Sequence, residues 1–185
     1  MFTIIGLGNI GSKYKLTRHN VGWIIFDELF SHLVWQKNKY AESELAQTRI
    51  NDTDLLLVRP ETFMNESGRV LPYLSKTYGT SAENLVVLHD DIDLPLGQIK
   101  TSFDRGDGGH NGVKSIMENL GTKEFIRIRV GVAITDNEGV VHKPDVLGNF
   151  GQLELEKVKM ISQKISEILQ TLCIDGLQKT MTLYN

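Results

Sequence analysis

Three histidines of this chain stand beside polar residues: His19 before Asn20, His89 before Asp90, and His110 before Asn111. A histidine with one ring nitrogen held by a carboxylate can take a proton on the other near neutral pH, which is what activating a water molecule requires. Asn9, Asn65 and Asn111 each follow a glycine-rich or turn-forming stretch. An amide that both donates and accepts suits a peptide backbone or an oxyanion, although a single asparagine serves equally well as a turn or cap residue. Residue types and spacing alone leave open which histidine is the base.

Rival chemistries fit less well. A zinc site calls for close pairs such as H-x-x-x-H or C-x-x-C, and neither occurs. Asp91-x-Asp93 fails as a calcium loop, because Pro95 and Leu96 occupy its centre and Ser102 stands where its glutamate belongs. Ser67 lacks the flanking glycines of a nucleophile elbow, and Cys173 has no histidine near it in sequence. Gly6-Leu7-Gly8-Asn9-Ile10-Gly11 has the G-x-G-x-x-G spacing of a dinucleotide fold, but the polar SKYKLTRHN follows where a helix must begin. The better reading of these glycines is a tight turn that carries Asn9 out at the end of a strand. Water is the expected nucleophile, with no metal and no cofactor.

The elements that must position these residues follow from hydrophobic spacing. FTIIGLG and LVVLH (85–89) read as buried strands, with HDDID beginning where the second one ends. Val21, Ile24, Ile25, Phe26, Leu29 and Leu33 recur at three and four, predicting a helix capped by Asn20 and running to about Trp35. Strands are expected at 43–50, 54–59, 98–102 and 126–132. Helices are expected at 67–78 and 111–120, and over the Val158–Leu172 pattern, which Gly176 breaks before a short terminal segment. Strands alternating with helices predict an α/β fold: a single-domain three-layer sandwich around a central mixed, mostly parallel sheet.

Composition narrows the partners. At 185 residues and 41% hydrophobic content, one domain spanning 1–185 is the default. No apolar run approaches the roughly 20 residues that cross a bilayer, and FTIIGLG begins without a basic leader, so a cytoplasmic protein is expected. A net charge of −3 argues against nucleic-acid binding over the whole surface. Lys13, Lys15 and Arg18 nevertheless precede the first acid, Asp27, which leaves room for a local basic face. The single cysteine, Cys173, falls on the apolar side of a helix and is expected to pack.

Four blocks, GLGNIGSKYKLTRHNVGW, RPETFMNESGRV, HDDIDLPLG and DGGHNGVKSI with FIRIRVGV after it, lie in order between residues 4 and 132. In them the chain resembles bacterial peptidyl-tRNA hydrolase. VVHKPDVLGNF and the helix after it look like that family's C-terminal lid, about 136–152. The resemblance implies hydrolysis of the ester joining a peptide, or an N-blocked amino acid, to the 3′ end of tRNA. It makes His19 the general base that activates water, Asp90 the carboxylate behind it, and Asn9 the residue that senses a blocked α-amine. Asn65 and Asn111 become contacts near the ester, Tyr14 and Phe63 ring contacts with the substrate's 3′ end, and Lys100, Arg105 and Arg129 cations for tRNA phosphates. A monomer is expected, and the alternative is a catalytically inactive RNA-binding module of the same fold. Ile10 stands where the family usually has proline, and Asp104 and Asp107 make the loop at 101–107 less basic than the resemblance implies.

Overall fold

The computed structural model describes residues 1–185. In chain order the elements are β1 (Phe2–Gly6), α1 (Val21–Phe30), β2 (Gln36–Asn38), β3 (Ser43–Ile50), β4 (Thr53–Pro60), α2 (Leu71–Tyr78), β5 (Leu85–Pro95), β6 (Ile99–Ser102), α3 (Asn111–Leu120), β7 (Ile126–Thr135), β8 (Val141–His142), α4 (Gln152–Asp175) and α5 (Leu177–Tyr184). The eight strands form one mixed sheet in the order β2-β3-β4-β1-β5-β7-β6, with β8 on β7. Its centre, β4-β1-β5-β7, is parallel, and both ends are antiparallel.

The period-two alternation of strands sorts side chains into two cores. Ile4, Leu55, Leu57, Val86 and Leu88 pack with Val21, Ile25 and Phe26 of α1 and with Ile165 and Ile168 of α4. Ile5, Leu56, Val58, Leu85 and Val87 face the other way, against Leu71 and Leu74 of α2 and Val113 and Ile116 of α3. This is the expected three-layer sandwich. No helix is long and apolar enough to cross a membrane.

Several boundaries differ from the sequence reading, each for a local reason. α1 stops at Phe30 rather than near Trp35, and the Trp35 indole N–H turns back to the Phe30 carbonyl at 3.2 Å. The helix expected over 67–78 is a 3₁₀ segment, Met64–Val70, followed by α2 with Pro72 in its first turn. Proline lacks the N–H needed in a helix interior but fits the first turn. β5 continues through HDDID to Pro95, so Asp90 belongs to a strand and is 2% exposed.

Two glycines bring the site segments together. A Cβ at Gly22 would meet Leu7 backbone atoms at 2.7 Å and the Leu88 carbonyl at 2.9 Å. Only glycine lets the start of α1 lie this close to the ends of β1 and β5. Gly8 lies under the Trp23 ring, where a Cβ would meet ring atoms at 2.7 Å. Of the glycines in the apparent nucleotide motif, Gly6 and Gly8 therefore serve helix-to-strand contact, and Gly11, at φ 114°, serves the turn.

Candidate active site

The close seating of α1 sets the turn before it, Arg18–Asn20, above the middle of β5. His19 Nδ1 lies 2.9 Å from Asp90 Oδ1, and His110 Nε2 reaches the same oxygen at 2.9 Å from the start of α3. The two rings are tilted against each other with centroids 4.7 Å apart. Burial works against a charge on Asp90, but its interactions with His110 and the hydrogen bond from His19 outweigh it, holding the carboxyl well below the usual carboxylate range.

The hydrogen-bond pattern distinguishes the two rings. His110 Nδ1 accepts the Gly112 and Val113 backbone N–H at 3.1 and 3.3 Å, capping α3, so its proton is on Nε2 and points at Asp90. Both nitrogens of His110 are occupied. His19 donates through Nδ1 to the carboxylate and keeps an uncommitted lone pair on Nε2. Asp90, His19 and His110 lie close enough together to suggest a metal set. Ligation through His110 Nε2, however, would move the proton to Nδ1, against two backbone donors, and so would break the helix cap.

His89 sits beneath the pair. Its Nδ1–H donates to the Asp90 carbonyl at 2.7 Å, and its ring meets His110 edge-on at 4.8 Å. Burial first, and His110 second, push its imidazole well below the usual range.

Asn9 follows β1 as the sequence suggested, and it is held on every side. Its N–H donates to Asn20 Oδ1 at 2.9 Å, its carbonyl accepts from Asn20 Nδ2 at 3.0 Å, and its own Oδ1 accepts the Met64 N–H at 2.8 Å. This leaves the Asn9 amide presenting N–H donors. Asn20 makes no side-chain cap to α1, contrary to expectation. It fixes Asn9 instead. Ile10, where the family usually has proline, donates its N–H to the Thr62 carbonyl at 3.4 Å, a contact proline could not make.

The remaining expected residues fall into two groups. Asn65 is exposed beside Met64, Phe63 is 53% exposed, and Tyr14 is half-buried with Lys13 over its ring. Asn111, the first residue of α3, lines a hollow of about 160 Å³ together with His19, Asp90, His110, Arg105 and Arg127. Lys100 and Arg105 are exposed. Arg129, expected among the free cations, is 7% exposed and binds Asp91 Oδ2 through Nε and Nη2 at 2.6 Å. Arg127 lies buried under the same hollow with one bond, to the Gly106 carbonyl at 2.9 Å, and burial followed by neighbouring Arg129 lowers its pKa to about 10.

Sequence reasoning named His110 as a candidate but placed neither it nor Asn20 in the site. The adjoining glycines Gly108 and Gly109, both at positive φ, were the available signal that the chain turns sharply there. Nothing local in the sequence indicated that one carboxylate oxygen would serve two histidines.

A family model described as peptidyl-tRNA hydrolase matches residues 3–185. The peptidyl-tRNA hydrolase of Bdellovibrio bacteriovorus is 38% identical, with all of both chains covered. That of Thermotoga maritima is 38% identical over 98% of this chain and 96% of its own. The crystal structure of the Acinetobacter baumannii enzyme superposes with a TM-score of 0.86 at 28% identity, covering all of this chain and 94% of that one.

Proposed function

Because the chain belongs to the peptidyl-tRNA hydrolase family, we propose that it hydrolyses peptidyl-tRNA by metal-independent water activation with His19 as general base. The observation that carries this reading is the bond from His19 Nδ1 to buried Asp90, which leaves the Nε2 lone pair free and aims it away from the carboxylate. Nε2 takes a proton as the water oxygen attacks the ester carbonyl. Asp90 offsets the positive charge that forms on the ring. When the tetrahedral intermediate collapses, the ribose 3′ oxygen leaves with that proton, giving free tRNA and a peptide carboxylic acid that releases the second water proton to solvent. The His110 cap supports metal independence, since ligation there would break it.

The asparagines supply donors. With its Oδ1 occupied by the Met64 N–H, Asn9 has only side-chain N–H groups left to offer a substrate. A blocked amino acid brings an acyl carbonyl that accepts from them. The α-ammonium of aminoacyl-tRNA brings only more donors, and this mismatch spares it. Asn65 and Asn111 flank the ester, the Tyr14 and Phe63 rings meet the 3′ end, and exposed Lys100 and Arg105 meet acceptor-end phosphates. Arg129 supports this face through Asp91. The protein works as a cytoplasmic monomer on this reading.

The inactive-module alternative is not supported: the relatives carry hydrolase names, and His19, Asp90 and the asparagines are all present. The test is turnover of N-acetyl-aminoacyl-tRNA by His19→Ala. A loss of about 100-fold or more in kcat with tRNA binding retained is expected. Near-normal hydrolysis overturns the assignment.

A further inference from the structure

His19 is held from two sides, and only one of them is Asp90. Its backbone N–H donates to the Val146 carbonyl at 2.9 Å, the Arg18 N–H to Gly148 at 3.1 Å, and the Phe150 N–H to Leu16 at 2.9 Å. Thr17 and Asn149 complete an antiparallel bridge between the two segments. The segment just before α4 is thus paired along the turn that carries the base.

The Arg18 side chain locks this pairing. Its Nη1 donates to the Asn149 carbonyl at 2.7 Å and to Gly148 at 3.3 Å, and its Nη2 meets both carboxylate oxygens of Glu154 at 2.8 Å. Glu154 also accepts the Gly151 N–H at 2.7 Å, closing the N-terminus of α4. The guanidinium lies over the Phe150 ring at 5.3 Å, and the side chain is 9% exposed. Its remaining nitrogen, Nε, is buried without a partner. This arginine is neutralised and enclosed, so it is not a cation offered to phosphate.

We propose that Arg18 and Glu154 are positioning residues for hydrolysis: their ion pair latches residues 146–150 and the start of α4 to the His19 turn and fixes where Nε2 points. The proposal rests on His19 being the base. A general base must sit within hydrogen-bond reach of its water, and a misplacement of about 1 Å costs up to about 100-fold in rate. The latch also divides the expected lid. Residues 146–150 are paired to the His19 turn, whereas Val141 and His142 before them pair with β7.

The test compares Arg18→Met, Arg18→Lys, Glu154→Gln and the Arg18→Met/Glu154→Gln double variant with the parent, by kcat, KM and thermal midpoint on N-acetyl-aminoacyl-tRNA. Arg18→Met is expected to lower kcat about 10-fold with KM held within about twofold. Arg18→Lys, which keeps the charge but not the fork, falls in between. Glu154→Gln lowers kcat while still able to accept from Gly151, and the double variant is no worse than Arg18→Met because both act on one contact. If Arg18→Met does not fold, Arg18→Lys and Glu154→Gln carry the test. The latch is overturned if kcat is unchanged despite a lowered midpoint, if the loss appears in KM, or if Arg18→Lys is as poor as Arg18→Met. His19→Ala in the same assay separates the two claims. An inactive His19→Ala beside normal latch variants sinks only the latch, whereas an active one sinks the base assignment.

Discussion

The middle of β5 at Asp90 and the loop from Arg105 to Gly109 face the same hollow, yet they are built on opposite principles. Around Asp90 on β5 the polar groups are bonded to one another: one oxygen of Asp90 takes two ring N–H groups, and His110 also caps a helix. Across the hollow, Arg105 and Lys100 are exposed, and the loop's acids are occupied locally. Asp104 lies 3.3 Å from Lys123, and Asp107 accepts the Gly109 N–H at 2.7 Å. The two acids that made this loop look poorly suited to RNA are therefore partly offset where they stand. Proton transfer needs directional bonds settled before substrate arrives, whereas holding a polyanion needs charge that stays mobile and wet.

If this contrast is right, the largest effect belongs to the ordered side. Asp90→Asn keeps the shape but removes the counter-charge for the His19 imidazolium, and it is expected to cut kcat by about 100-fold or more with little change in KM. A loss carried mainly by KM would place Asp90 in binding and erase the contrast.

A smaller effect tests the buried layer beneath. His89 is held neutral in the fold, while the unfolded chain protonates it below about pH 6.5. Its contribution is full above that pH and is lost as pH falls from there toward the depressed folded value, by at most about 1.4 kcal/mol per pH unit. Asp90, with its depressed carboxyl, contributes fully above about pH 3.9 and loses that contribution only below it, so the loss between pH 7.5 and 5.5 does not come from Asp90. Denaturant titrations at pH 7.5 and 5.5 should show the slope, and His89→Asn should flatten it; an equal slope in the variant removes His89 from the account.

The smallest effects belong to the wet side. Lys100→Ala and Arg105→Ala should each raise KM a few-fold, leave kcat alone, and reduce the slope of log KM against log salt by about 1. A fall in kcat with unchanged salt dependence would mean that the loop takes part in chemistry.

Much of this was legible in the chain before folding. FTIIG and LVVLH read as buried strands because they are continuous apolar runs, and α1 and α4 read from their three-and-four spacing. TRHN, HDD and GGHN were visible as chemistry-bearing blocks. β2, three residues long, and β8, two residues long, were not seen, because so short a segment shows no period. Asn20 was read as a cap because N-cap preference is a local statistic, and its actual partner is Asn9, eleven residues earlier.

The sequence by itself determined the elements, the layer architecture and the family, since these rest on patterns within a few residues and on long ordered blocks. Only the tertiary structure decided the partners that no block announced: His110 with Asp90 across 20 residues, Arg18 with Glu154 across 136, and Arg129 withdrawn from the free cations by Asp91. Such choices depend on strand order, on the register of β5 against β1, and on how closely Gly22 lets α1 approach. None of these is written in local spacing, because a hydrogen bond is set by distance in space and periodicity records only distance along the chain.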